Sequence, residues 1–203
     1  IRELSIAAEA RGTDATGIAY NTSRGLQVYK RPLAAHRLHL RIPAEARAVM
    51  GHTRMTTQGS AKKNYNNHPF FGHVKEESFA LAHNGVLWND LELRHAKHLP
   101  RTKVQTDSYI AVQLLEQKKS LDFDSLRYMA EQVEGSFSFT VLDEQSALWI
   151  VKGDSPLSIA YFPERGVYVY ACRRPQQSAG VYRTLYGLRF MNLIRQSMNY
   201  IKR

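Results

Sequence analysis

Between two groups of strand-like runs, this 203-residue chain carries two segments with helical periodicity, and that order constrains its fold more than any other feature. Gln105–Lys118 sets Ile110, Val112, Leu114 and Leu115 along an apolar face, and Phe123–Val133 repeats Leu126, Met129, Ala130 and Val133 at helical spacing. Four apolar runs follow, Phe137–Leu142, Leu148–Val151, Leu157–Phe162 and Val167–Ala171, broken by Asp143-Glu144, Gly153-Asp154 and Glu164-Arg165-Gly166. Short runs with turn residues between them read as an antiparallel meander. Upstream, Thr16–Tyr20 and Leu26–Lys30 flank Asn-Thr-Ser-Arg-Gly, a hairpin signal, and Ala48–His52 and Phe79–His83 are further strands. Strands, then helices, then strands, with no internal repeat or low-complexity linker, predict one α+β layered domain over residues 1–203.

The remaining segments are read from their punctuation. Residues 1–10 form the end of a helix stopped by Gly12, and Pro43 opens a short helical turn. Residues 58–68 are loop. Asn89–His98 is a helix capped by Asn89 or Asp90. Thr106 caps the 105–118 helix and puts Asp107 in its first turn. Val181–Ile201 carries an interrupted apolar stripe and reads as a helix, after an irregular stretch at 173–180.

Composition narrows the class. With 43% hydrophobic residues the chain can bury one sizeable core. No apolar run approaches the ~20 residues that span a bilayer, so no membrane association is expected. The single cysteine, Cys172, rules out an intramolecular disulfide and a cysteine-based zinc site, and its scarcity fits a cytoplasmic protein. The net charge of +10 could attract an acidic partner. The basic residues are spread out, with dense points only at Lys62-Lys63 and Lys118-Lys119, so nucleic acid is not an expected partner. The eight histidines invite a metal reading, but His36/His39 and His95/His98 lack acidic partners in a ligand pattern, so neither metal nor cofactor is expected.

The chemistry is concentrated in three stretches. The strand Phe79–His83 is expected to break into a tight turn at Asn84-Gly85, which can aim a side-chain amide and a backbone N–H at one point and so stabilise an oxyanion. The same dipeptide is a common hairpin turn. Arg54 ends an apolar strand, where a guanidinium on a rigid edge can grip a carboxylate with two parallel N–H bonds. Asp107 suits a cationic amine, or merely stabilises a helix terminus.

Taken in order, Gly51-His-Thr-Arg-Met-Thr-Thr-Gln-Gly59, Asn67-His68-Pro69 and Leu81-Ala-His-Asn-Gly-Val86 resemble the glutaminase domain of class II glutamine amidotransferases. Arg11-Gly-Thr-Asp-Ala-Thr-Gly-Ile-Ala19, Thr106-Asp107-Ser108, Gly135–Thr140 and Lys152–Leu157 extend the resemblance over residues 1–172, leaving 173–203 as a C-terminal extension. It implies the N-terminal-nucleophile hydrolase fold, a four-layer αββα sandwich of two antiparallel sheets. It implies hydrolysis of the glutamine side-chain amide to glutamate and ammonia by a first-residue cysteine. Asn84 and Gly85 would be the oxyanion hole. Arg54 and Thr57 would bind the glutamine carboxylate and Asp107 its ammonium. His68 would line the pocket, and Arg11 and His83 would support the site.

The chain shown departs from the pattern. It starts at Ile1, without the cysteine, so no glutaminase activity is expected of it in this form. Met55 and Gln58 stand where an aromatic residue and a histidine are common. Cys172 is followed by Arg173-Arg174, which could lower its thiol pKa. The family mechanism uses the nucleophile's own α-amino group, so Cys172 is expected to be a core thiol instead. L-Glutamine is the expected ligand, with a separate synthase accepting the ammonia. The competing reading is a catalytically silent module that binds an amino acid or a protein partner.

Overall fold

A computed structural model describes residues 1–172 and the backbone of 189–192. Helix α1 (Arg2–Ala7) and a 3₁₀ turn (Ala8–Arg11) lead into the hairpin β1 (Ala15–Thr22) and β2 (Gly25–Arg31). Strand β3 (Val49–Arg54) pairs with the other edge of β1, giving a three-stranded antiparallel sheet in the order β2-β1-β3. Next come β4 (Phe70–Val74) and β5 (Glu77–Leu87), then helices α2 (Asp90–Ala96), α3 (Tyr109–Lys118) and α4 (Phe123–Gln132). Strands β6 (Gly135–Asp143) and β7 (Leu148–Lys152) complete a second sheet. A further strand, β10 (Arg189–Asn192), adds to it in parallel with β7, so its order is β10-β7-β6-β5-β4. Strands β8 (Ser158–Phe162) and β9 (Val167–Ala171) pair only with each other.

Strand alternation builds the layers. On β5, Phe79, Leu81 and Leu87 face the helices and join Ile110, Leu114, Leu126 and Met129 in the larger core. Ala80 and Ala82 face the other way and meet Ala19, Leu26 and Met50 of the three-stranded sheet. The small residues at 80 and 82 let the two sheets approach, while the fully buried Phe79 and Phe139 fill the helix side. Burying each such ring contributes about 2–3 kcal/mol. The order is therefore helices, five-stranded sheet, three-stranded sheet, with α1 beside β3, where the Thr53 hydroxyl donates to the Ala8 carbonyl at 2.7 Å.

Several expectations need correction. Asn84-Gly85 is not a turn. Strand β5 runs through it, with Asn84 opposite Ser138 and Gly85 opposite Phe137 of β6. Gly85 is there because its φ is +144° and a Cβ would sit 1.9 Å from the Ser136 carbonyl oxygen. Strand β4 was hidden by Pro69 and Gly72. That glycine lies under the Phe79 ring, where a Cβ would come within 2.4 Å of the ring. Pro43 begins a turn closed by Ala46 N–H on its carbonyl, not a helix. Helix α3 starts only at Tyr109, and the buried Thr106 hydroxyl caps nothing. Asn89 precedes α2 without a capping bond, since its side chain spans to Gln132 and Glu134 instead. The expected four-strand meander divides, because β8 and β9 leave the sheet that β6 and β7 share. The predicted 181–201 helix fails at β10, and the rest of that span, like 173–180, lies outside the described residues.

Candidate active site

Met50, His52 and Arg54 alternate along β3 on the face toward the five-stranded sheet. Arg54, at the strand's end, is buried. Its Nη1 donates to Asn67 Oδ1 at 2.7 Å, and its Nη2 donates to the carbonyls of Gln58 and Gly59. Every one of these acceptors is neutral. Burial pushes the Arg54 pKa down, and the carboxylates of Asp14 and then Asp107 pull it back up. The loop after β3 is tied to the segment before β1, where Asp14 Oδ2 accepts from Thr56 N–H at 2.8 Å and Asp14 N–H donates to the Arg54 carbonyl. Gly12 permits this contact, since a Cβ there would lie 2.2 Å from the Arg54 carbonyl carbon.

Asp107 sits on the segment leading into α3 and is buried. Its Oδ2 accepts from Leu87 N–H at 2.7 Å, which turns the carboxylate toward the end of β5 and away from its own helix. Its N–H donates to Gln58 Oε1 at 2.8 Å. Gln58 thus touches both Arg54, through its carbonyl, and Asp107, through its side chain.

Asn84 lies on the face of β5 that looks toward the three-stranded sheet. Its Oδ1 accepts a short hydrogen bond from Arg11 Nη2. With the oxygen held, the amide nitrogen points away, and Asn84 Nδ2 is buried with no acceptor among the described residues. A buried donor without a partner typically costs about 1–3 kcal/mol.

Three histidines pack beneath these groups. His52 Nε2 donates to the His83 carbonyl at 2.9 Å, joining the two sheets. The His68 ring tilts against His52 at 4.3 Å and meets Phe70 edge-on at 4.5 Å. His83 Nε2 donates to the Ser136 carbonyl, which leaves Nδ1 to accept from the Ser108 hydroxyl at 2.8 Å. Burial lowers the pKa of His52 and of His83 to about 4. That of His68 is pushed well below the usual range by burial, with His52, His83, Arg54 and Lys30 adding to the effect. All three are neutral near pH 7. Neither His68 ring nitrogen has a partner among the described residues. The loop that carries His68 is fastened by Lys30, whose ammonium donates to the carbonyls of Asn67 and Pro69.

Thr57 is exposed on the loop after β3. Cys172 is partly exposed at the end of β9, and burial raises its thiol pKa while the Arg11 charge opposes the rise. Among the described residues no three of His, Cys, Asp and Glu are grouped as a metal would require, and no helix is long and apolar enough to cross a membrane.

A glutamine amidotransferase domain model matches residues 52–171, the span that holds Arg54, His68, Asn84 and Asp107. The chain belongs to the glutamine amidotransferase domain family. It is 31% identical over 159 residues to a glutamine–fructose-6-phosphate aminotransferase of Bacillus licheniformis, covering 74% of this chain and 26% of that protein. A Thermus thermophilus enzyme of the same name is 35% identical over 143 residues, covering 67% and 23%. The chain therefore spans about a quarter of the length of the curated relatives it matches. Among solved structures, it resembles the allosteric regulatory enzyme of purine biosynthesis with a TM-score of 0.68 at 20% identity, over 84% of this chain and 39% of that one. It also resembles the glutamine phosphoribosylpyrophosphate amidotransferase of B. subtilis with a TM-score of 0.62 at 22% identity, over 79% and 36%. The chain shares the family and fold of the glutaminase domains of class II amidotransferases, the N-terminal-nucleophile hydrolase type.

Within this domain, Arg54 and Asp107 are drawn together from distant parts of the sequence, linked by Gln58. Arg11 joins Asn84, and His68 and His83 lie in one buried histidine group with His52. Thr57 makes no such connection. Sequence reasoning passed over three residues. Gln58 stood out only as a departure from the family pattern, and Asn67 and His52 only as members of motifs with no role assigned.

Proposed function

We propose that this domain binds L-glutamine and hydrolyses its side-chain amide, with Asn84 as an oxyanion donor. The observation that carries this reading is the Asn84 amide, whose oxygen is fixed by Arg11 while its buried nitrogen has no acceptor among the described residues. A donor held in place before the charge forms needs no reorganisation when the tetrahedral intermediate appears. Gly85 N–H would be its companion donor. Arg54 would hold the α-carboxylate and Asp107 the α-ammonium, one unit charge for each end of the zwitterion. His68 would line the cavity as a neutral ring, His83 would brace β5 against Ser108, and Thr57 would close over the carboxylate.

The attacking thiolate is the cysteine that the family places at the mature N-terminus. It adds to the amide carbonyl carbon, the collapsing intermediate expels ammonia, and water then cleaves the thioester to glutamate. Cys172 would not fill that role, because an interior cysteine has no free α-amino group to act as the base; burial also raises its thiol pKa. Ammonia would pass to a synthase that binds the amino-group acceptor. The test is ammonia release from L-glutamine by the full-length gene product, alongside its Asn84→Ala variant. Turnover that the variant leaves unchanged refutes the role of Asn84, and glutamine binding without any ammonia release supports a silent binding module instead.

A further inference from the structure

We propose that Gln58 is a positioning residue that sets the spacing between the Arg54 guanidinium and the Asp107 carboxylate, and through it the domain's selectivity for an intact α-amino acid. This rests on the glutamine-binding reading above. An α-amino acid carries its carboxylate and its ammonium on one carbon. A site that holds both must therefore fix the separation of its own cation and anion, whereas a ligand with one charge does not test that separation. Arg54 ends β3 and Asp107 precedes α3, so they belong to different layers of the fold. Gln58 is the residue that touches both. Its carbonyl accepts from Arg54 Nη2, and its side-chain Oε1 accepts from Asp107 N–H at 2.8 Å.

Two neighbouring features bring Gln58 into range. Gly59 has a φ of +70°, and a Cβ there would lie 3.1 Å from the Gln105 carbonyl oxygen, so the loop after β3 sits directly on the segment before Asp107. Asn66 Oδ1 accepts from Gln105 N–H at 2.9 Å, and Asn66 Nδ2 donates to the Ser60 carbonyl, which holds the same two segments together one step further out. Those contacts dock the loop, but among the described residues Gln58 alone hydrogen-bonds to both charge-bearing residues. Its side chain is exposed, so changing it leaves the core intact.

The experiment compares wild type with Gln58→Met, which keeps length but loses the acceptor oxygen, and with Gln58→Ala. Calorimetric titration uses three ligands: L-glutamine, glutaramate, which lacks the ammonium, and 4-aminobutanamide, which lacks the carboxylate. Both variants should bind glutamine at least tenfold more weakly, with affinities for the two single-charge ligands within about twofold of wild type. The Asp107 backbone amide resonance should shift upfield in both variants as its hydrogen bond is lost. If the variants bind glutamine as wild type does, or weaken all three ligands equally, the positioning role is overturned while glutamine binding stands. If wild type binds neither glutamine nor either analogue, the glutamine-binding reading falls and this inference with it.

Discussion

Acidification should destabilise this domain through its buried histidines before its carboxylates titrate. In the unfolded chain His52 and His83 return to the ordinary value of 6.5, but in the folded domain both lie at about 4. Between those values the unfolded state binds more protons, so stability falls as pH falls through 6.5 and levels off below about 4. At about pH 5 each such histidine costs about 2 kcal/mol relative to neutral pH. His52 keeps some exposed surface, yet its Nδ1 is fully covered, and His68 acts in the same direction from a more buried position. His52 and His83 together cost about 4 kcal/mol, a large share of the whole stability of many domains. Glu77 and Glu116, whose pKa values burial raises, oppose this loss in the lowest part of the window. The assay is urea unfolding between about pH 8 and pH 5, on wild type and on His68→Phe. The variant removes a titrating ring whose nitrogens have no partner among the described residues. It should gain about 1–2 kcal/mol at neutral pH and lose less stability than wild type on acidification. A wild-type stability flat from pH 8 to pH 5, or a variant with an unaltered acid limb, refutes the reasoning.

Three further outcomes follow from named contacts. In full-length enzyme, Asn84→Ala should lower kcat about a hundredfold with little change in glutamine affinity, whereas Arg54→Ala should mainly raise KM; steady-state kinetics separate the two. Gly85→Ala puts a Cβ against the Ser136 carbonyl at a φ of +144° and should cost more than about 3 kcal/mol, read as a fall in denaturation midpoint. Asp143→Ala removes the acceptors of Ala147 N–H and Trp149 Nε1–H and should cost about 2 kcal/mol by the same measurement.

The sequence made some of this legible and hid the rest for physical reasons. Helix α4 showed itself through the helical spacing of Leu126, Met129 and Ala130, which the fold buries in one core, and its cap is local too, with Asp122 accepting from Ser125 N–H three residues on. The β1–β2 hairpin is equally local. Asn84-Gly85 misled because its turn-like chemistry serves a different need. The backbone must pass the Ser136 carbonyl of a strand about fifty residues away, and no local pattern reports that strand. The start of α3 was misplaced for a similar reason, since Leu87 N–H claims the Asp107 carboxylate that would otherwise serve the helix. Arg54 and Asp107 could be nominated from motifs, but the side chain that joins them could not. A glutamine in a loop carries no signal until the fold shows what its oxygen accepts.

The cradle around Arg54 has a consequence for solution behaviour. Its visible partners are an amide oxygen and two carbonyls, and among the described residues no acidic side chain forms an ion pair with it. The guanidinium is therefore a buried positive charge held in place by neutral dipoles, with the carboxylates of Asp14 and Asp107 acting on it without a direct ion pair. Small inorganic anions will compete for that charge, so chloride or sulfate should act as a competitive inhibitor at the carboxylate end. The apparent affinity for glutamine then becomes a property of the buffer as well as of the protein, and values taken in different salts will not agree until the anion is held constant.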